Sequence, residues 1–219
     1  MNIKMLKAAI AGFVLTVSGL ANAALISTGY NSDSSADGIL FDIKLNSSDL
    51  NFQSMTFLTS NLESVSTGVE LYFRSGSYVG FSNDATGWNL LFSGTISPIQ
   101  TIAPTLSSVS SGLVNLDFSD FVLSNNSTYA FYLVTTDQTN VRYENSSSTS
   151  VVGGVNTSNA DLTIFTGESQ NFSGDVFSPT STNTPRDFRG SFTYSQVPAP
   201  STLAIFMLGI VGLIVRRLN

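Results

Sequence analysis

The 219-residue sequence contains no histidine and no cysteine, and only 11% of its residues are charged. These absences exclude whole classes of chemistry. Without either residue there is no Ser-His-Asp or Cys-His nucleophile, no His/Cys zinc centre, no axially ligated haem and no thiol redox pair. Basic residues are scarce as well, 9 Lys+Arg against 15 Asp+Glu, for a formal net charge of −6. An acidic chain without a basic stripe is not expected to take nucleic acid as a partner.

The charge that is present is unevenly placed. Lys4, Lys7, Arg216 and Arg217 sit at the two ends, whereas all fifteen acids fall between Asp33 and Asp187. The span 24–200 holds 5 Lys+Arg and 15 Asp+Glu, a net charge of −10, so it stays soluble and repels anionic surfaces. The mean hydropathy of +0.20 therefore comes largely from the termini. The middle is polar and rich in hydroxyls, in a chain with 35 Ser and 22 Thr.

Both ends read as addresses. Lys4 and Lys7 precede the apolar run Ala8–Leu20, and Ala21-Asn22-Ala23 follows. That is a secretory signal peptide over 1–23, with Ala21 and Ala23 in the positions a signal peptidase reads. At the other end Val197-Pro198-Ala199-Pro200-Ser201 leads into an uncharged run, Leu203–Val215, and then Arg216-Arg217. Thirteen helical residues span about 20 Å, short of the roughly 30 Å hydrocarbon core, and flanking residues with snorkelling arginines narrow the gap. Arg216 and Arg217 are placed as a stop-transfer pair on the cytoplasmic side. The expected organisation is a signal peptide (1–23), an ectodomain (24–195), a linker with a motif (196–201), and a transmembrane helix with a basic tail (202–219).

This order of a short proline motif, an apolar helix and terminal arginines resembles the PEP-CTERM sorting signal of exported bacterial proteins. The resemblance covers Val197–Asn219, with Ala199 where the usual motif has Glu. It implies an exosortase-like processing enzyme as partner, membrane association through the C-terminal helix, and a final place at the cell surface or in the extracellular matrix.

Between Leu25 and Ser195 the hydrophobic pattern has period 2, with no sustained helical period. Ile39, Phe41, Ile43 and Leu45 share one face, opposite Asp42 and Lys44. Val69, Leu71 and Phe73 alternate with Glu70, Tyr72 and Arg74, and Val114, Leu116 and Phe118 with Asn115 and Asp117. Residues 129–134 are apolar on both faces, as a central strand requires. Further strands are expected at 50–58, 88–93, 140–144, 161–166 and from Phe188 to Tyr194. Segment 167–187, rich in Gly, Ser, Thr, Asn and Pro, reads as a long loop. The expected fold is all-β, a β-sandwich or jelly roll with its core drawn from 16 Phe and 7 Tyr. The middle also resembles a module of exported bacterial proteins similar to carbohydrate-binding-type sandwiches, through Leu71–Phe81, Gly87-Trp88, Tyr129–Tyr132, Val141–Tyr143, Asp161–Ile164 and Phe177–Pro179. No regular Thr-x-Thr ladder is present, so an ice-binding face is not expected.

Candidate chemistry is sparse. Asp33 and Asp37, in Asn31-Ser-Asp-Ser-Ser-Ala-Asp-Gly38, are oxygen ligands that would suit Ca²⁺, without the spacing of an EF-hand loop; a polar turn is the preferred reading. Asp117 and Asp120 are read as solvent-facing. Tyr72, Arg74, Tyr78, Arg142 and Tyr143 are the expected ligand-binding residues, because aromatic faces stack on sugar rings and polar neighbours orient the hydroxyls. Trp88, the single tryptophan, is read first as a core anchor and second as part of that platform. A carboxylate pair is the one hydrolytic device the composition allows, but Glu70, Glu144, Glu168 and eleven Asp offer no motif that singles out two. The expected function is an exported, non-enzymatic adhesive or glycan-binding protein without a cofactor, with extracellular polysaccharide as its partner. The alternative is a secreted polysaccharide hydrolase.

Overall fold

Alternating apolar and polar side chains build strand after strand in the computed structural model, which describes residues 23–63, 65–103, 110–137, 139–146 and 151–198. The strands are β1 (Ala23–Ser27), β2 (Ser34–Ala36), β3 (Gly38–Leu45), β4 (Leu50–Thr59), β5 (Thr67–Ser75), β6 (Asn89–Ile96), β7 (Gln100–Ile102) and β8 (Ser111–Leu123). They continue with β9 (Thr128–Thr135), β10 (Val141–Asn145), β11 (Val155–Ser158), β12 (Leu162–Phe165), β13 (Gly167–Phe172), β14 (Pro179–Phe188) and β15 (Gly190–Gln196). Among the described residues there is no helix, and hence none long and apolar enough to cross a membrane. The signal peptide, with Ala21, and the C-terminal helix, with Arg216 and Arg217, lie outside the described residues, as do Ala199, Pro200 and Ser201.

Ala23–Ser195 forms one compact unit. Its strands join in one open antiparallel sheet, ordered β1-β15-β4-β10-β14-β13-β3-β9-β5-β6. Strand β8 pairs with β4 and carries β7, β12 pairs with β3 and carries β11, and β2 pairs with β10. The first strand lies on the last, with Ala23 opposite Ser195 and Ser27 opposite Ser191.

The period-2 pattern decides which side chains go inside. On β3, Ile39, Phe41, Ile43 and Leu45 are fully buried in the main core, and Asp42 and Lys44 point the other way. Rings from distant parts of the sheet meet in that core. Phe41 lies 6.1 Å from Phe192, Phe52 lies 6.2 Å from Phe131, and Phe131 lies 5.4 Å from Phe192. In the sheet order, β4, β10, β14 and β13 separate β15 from β3. The sheet must therefore curl enough to bring these rings together. Each buried ring contributes about 1.5–3 kcal/mol of transfer free energy, and the offset or tilted geometries add to it.

Two expectations are corrected. Segment 167–187 is not a loop but most of the β13–β14 hairpin, with Gln170 opposite Thr182 and Asn171 opposite Ser181. Ser169 and Gln170 are fully buried there although both are polar. Strand β13 is hydrogen-bonded to β3 on one side and β14 on the other, so its backbone is satisfied without an apolar pattern. The run from Phe188 to Tyr194 is also not one strand. Phe188 closes β14 and Gly190 opens β15, which carries Phe192 and Tyr194.

Candidate functional site

The reverse face of β13, β3, β9 and β5 carries a second, smaller cluster. Directly opposed residues on neighbouring strands share a face, so the registers lay out its rows. Tyr72 lies opposite Tyr132, Tyr132 opposite Leu40, and Leu40 opposite Glu168. One row along are Arg74, Ala130 and Asp42; one row the other way are Glu70, Val134, Gly38 and Gln170. Gly38 is needed in its row, since a Cβ there would stand 2.7 Å from Tyr132 Cε2 and 2.8 Å from Val134 Cγ1.

Two connecting segments cover these rows. Residues 76–88 bring Tyr78, Phe81 and Trp88, and residues 172–177 bring Phe172, Val176 and Phe177. The Tyr72 and Phe177 rings meet edge to face at 5.2 Å, Tyr132 and Phe177 at 5.6 Å, and Trp88 lies 6.0 Å from both Tyr132 and Phe177. Two polar tethers hold the cover. Tyr132 Oη donates to Val176 O at 2.8 Å, and Trp88 Nε1 donates to Phe81 O at 3.0 Å. Tyr72, Trp88 and Phe177 remain half-buried, while Tyr78 is 2% exposed.

Charge surrounds the rings. Tyr72 Oη donates to Glu70 Oε2 at 2.6 Å, and Ser93 Oγ to Glu70 Oε1 at 3.4 Å. Burial pushes the Tyr72 hydroxyl well above its ordinary value, and the charges of Glu70 and Asp175 push it further. Burial does the same to Tyr132, with Asp37 the leading charge and Asp175 contributing. Asp175, exposed, accepts from Phe177 N and Ser178 Oγ, each at 3.0 Å. Arg74 lays its guanidinium on Phe81, 3.4 Å from the ring centroid, and lies 5.8 Å from the Trp88 ring. Its Nε and Nη1 are buried and make no hydrogen bond among the described residues.

Beneath Tyr78 lie two carboxyls on neighbouring strands, Asp42 and Glu168. Asp42 Oδ1 accepts from Tyr78 N at 3.1 Å, and Glu168 Oε1 accepts from Gln170 Nε2 at 3.2 Å. Burial raises the pKa of both, against the opposing hydrogen bonds from Ser77 and Tyr78 to Asp42 and from Ser82 and Gln170 to Glu168. The Tyr78 hydroxyl is raised by burial and then by the charges of Glu168 and Asp42.

The five residues expected to bind ligand are thus not one platform. Tyr72 stands in the cluster, but Arg74 is buried under the cover and Tyr78 is the buried inner side of that cover. Arg142 and Tyr143 belong to β10, which β14, β13, β3 and β9 separate from β5. Tyr143 packs in the main core, where its hydroxyl accepts from Ser34 Oγ at 3.2 Å. Arg142 is buried, donates through Nε to Ser32 Oγ at 3.3 Å, and has its pKa lowered by that burial. Trp88 belongs to the reverse-face cluster rather than the main core. Tyr132, Phe177 and Glu70 complete the site and were not singled out from the sequence. Tyr132 and Phe177 lie in segments that carry the resemblance to the exported module, and the outward position of Tyr132 in an apolar-on-both-faces strand was a further signal for it.

Asp33 and Asp37 serve different neighbours. Asp33 Oδ1 accepts from Asn145 N at 2.7 Å, and Asp37 Oδ2 accepts from Phe172 N at 2.9 Å. Among the described residues no three acidic side chains gather as a metal site. Asp117 and Asp120 are exposed, and Asp120 accepts from Asn51 Nδ2 at 2.9 Å.

At the ends of the domain, Ala23 opens β1, and Val197 and Pro198 follow directly on β15. Comparison with curated proteins finds no match to the chain. Residues 196–217, which begin where β15 ends, match the PEP-CTERM protein-sorting motif. The β domain is therefore carried by an exported chain with a PEP-CTERM signal, associated with the membrane and processed by an exosortase.

Proposed function

We propose that the chain is a non-enzymatic cell-envelope or extracellular-matrix protein whose β-sandwich domain binds glycan. Signal peptidase removes residues 1–23, the exosortase processes the C-terminal tail, and the domain is delivered to the surface or the matrix. The sandwich reading draws on the rings of Phe41 and Phe131, which face those of Phe192 and Phe52 across the main core. The observation that carries the binding function is the half-exposed group of Tyr72, Trp88 and Phe177, edged by the carboxylates of Glu70 and Asp175. Rings of this kind stack on the C–H faces of sugars, and carboxylates accept from their hydroxyls.

The hydrolase alternative draws on Asp42 and Glu168. They are diagonal neighbours on adjacent strands, about 7–8 Å apart along the backbone, a spacing from which two side chains can bring their carboxyls to glycosidase-like separations. Tyr78, itself 2% exposed, covers them, and each already accepts hydrogen bonds from within the domain. A pair so covered offers a glycosidic bond no approach, which favours binding over catalysis.

Two measurements test the proposal. Mass spectrometry of the native protein from membrane and culture-supernatant fractions should give a form starting near Ala24 and ending close to Pro200, outside the cell. An intact chain ending at Asn219 and confined to membranes would remove the processing step. Binding of the purified full-length chain to neutral and charged glycan oligomers, followed by Trp88 fluorescence, should show saturable binding without cleavage of the oligomer. Release of shorter sugars would favour the hydrolase.

A further inference from the structure

Resting on the glycan-binding reading, we infer that the ligand is a cationic amino-sugar polymer, held by ammonium groups on Glu70 and Asp175 and by sugar rings on Tyr72, Trp88 and Phe177. The inference comes from the distribution of charge. Of the five Lys and Arg in the span 24–200, Lys44 alone is exposed; Arg74 and Arg142 are buried, and Arg186 and Arg189 are half-buried. Arg189 is paired with Glu144. Seven carboxylate residues, by contrast, are exposed among the described residues, Asp84 and Asp175 of this face included.

At the rings two carboxylates, Glu70 and Asp175, stand close to the aromatic faces. Glu70 stands one row from Tyr72 on the same face and accepts a hydrogen bond from its hydroxyl. Asp175 accepts from the backbone N–H of Phe177 at 3.0 Å, and the Phe177 ring meets both Tyr72 and Tyr132, so this carboxylate stands beside the same rings. The nearby cation, Arg74, is committed to the face of Phe81 and buried, so it does not meet a ligand at the rim. Lys44 is four residues along β3 from Leu40, the residue opposite Tyr132, and so about 13 Å away along the strand.

A polyuronate brought to this face would meet like charge on a domain of net −10 and be repelled. A neutral glycan would gain ring stacking and hydrogen bonds from its hydroxyls to the carboxylates, but no pairing of charge. An amino sugar presents both an apolar ring face and a protonated amine, which gains from the carboxylates and from the electron-rich ring faces. The sugar could thus stack while its charge is matched, a combination the other two classes lack.

The experiment uses the purified full-length chain and three hexamers: glucosamine, N-acetylglucosamine and glucuronate. Expected is binding of the glucosamine hexamer about tenfold tighter than the acetylated one, the worth of two rim ion pairs, no binding of glucuronate, and weakening with salt. The variants Glu70→Gln and Asp175→Asn keep shape and a hydrogen-bond acceptor, and should erase the preference, read as the ratio of the affinities for the two hexamers. Their unfolding midpoints, read by Trp88 fluorescence, verify that both still fold. Equal or tighter binding of the acetylated hexamer overturns the cationic ligand and leaves the glycan-binding function standing. So does a preference for glucosamine that survives in the folded double variant. Failure to bind any of the three hexamers overturns both.

Discussion

Arg74 lies flat on Phe81, its guanidinium carbon 3.4 Å from the ring centroid, with Nε and Nη1 buried and lacking a hydrogen-bond partner among the described residues. Two opposing terms meet in this contact. A desolvated cation–π contact is worth about 2 kcal/mol, while each unpaired buried donor costs about 1–3 kcal/mol. Arg74→Met keeps the packing on Phe81 and removes both donors, so it should change stability by less than about 1 kcal/mol. Arg74→Ala empties the space between Phe81 and Trp88 and should cost about 2 kcal/mol. Urea unfolding followed by Trp88 separates the two, and an equal loss in both variants would show that the charge itself is what stabilises the contact.

The Asp42 and Glu168 carboxyls give the domain a defined response to pH. Burial raises both from ordinary values of 3.8 and 4.5. A carboxyl with a higher pKa in the folded chain holds its proton more tightly there. Its favourable contribution is complete below the unfolded value and disappears as pH rises through the folded one. Glu168→Gln should therefore raise the thermal midpoint relative to the parent chain at pH 8, with the gain shrinking towards pH 4. Asp42→Asn should behave alike, less the loss of a charged acceptor for Tyr78 N. A gain that is larger at pH 4 than at pH 8 would reverse the assigned sign.

Phe192 touches rings from three other strands besides its near neighbour Phe188: Phe41 at 6.1 Å, Phe52 at 5.6 Å and Phe131 at 5.4 Å. Its removal opens the middle of the main core. Phe192→Ala should cost about 3–5 kcal/mol, measured by denaturant unfolding, whereas Phe192→Leu should cost markedly less. A loss below about 1 kcal/mol for the alanine variant would mean that the sheet does not close over these rings.

Gly167 begins β13 where the strand passes close to β3. A Cβ at that position would stand 1.8 Å from the Leu40 carbonyl oxygen and 2.8 Å from its carbon. Backbone cannot give way as a flexible side chain does, so Gly167→Ala should cost at least about 1–3 kcal/mol. Thermal unfolding of the purified variant is the check; a midpoint equal to that of the parent chain would place β13 farther from β3.

Much of the architecture was legible in the sequence, because where strands bury one apolar face the period-2 signal is direct. Ile39–Leu45, Val69–Arg74 and Tyr129–Val134 are strands with the predicted faces inside. Strand β13 was not legible. Ser169 and Gln170 are buried through the ladder on both sides, and a ladder leaves no hydrophobic pattern to read. The short β2, β7 and β11 have too few residues to alternate.

The candidate site was half legible for a related reason. Alternation correctly put Tyr72 and Arg74 on the reverse face of β5, but alternation says nothing about what covers a face. Residues 76–88 and 172–177 bury Arg74 and Tyr78 there. Tyr143 looked equally available and is in the main core, because β10 turns that side of its pleat inward. Phe177 reaches Tyr72 from more than a hundred residues away, a proximity no local pattern encodes.

The pairing of Ala23 with Ser195 makes the domain portable. Opposed Cα atoms on antiparallel neighbours are about 4.5–5.5 Å apart, so entry to and exit from the domain lie side by side. Every described strand falls between those two points or one residue past them. A domain whose ends meet in this way can be spliced into a surface loop of an unrelated host, or reopened at a new position after its ends are joined, without breaking a strand.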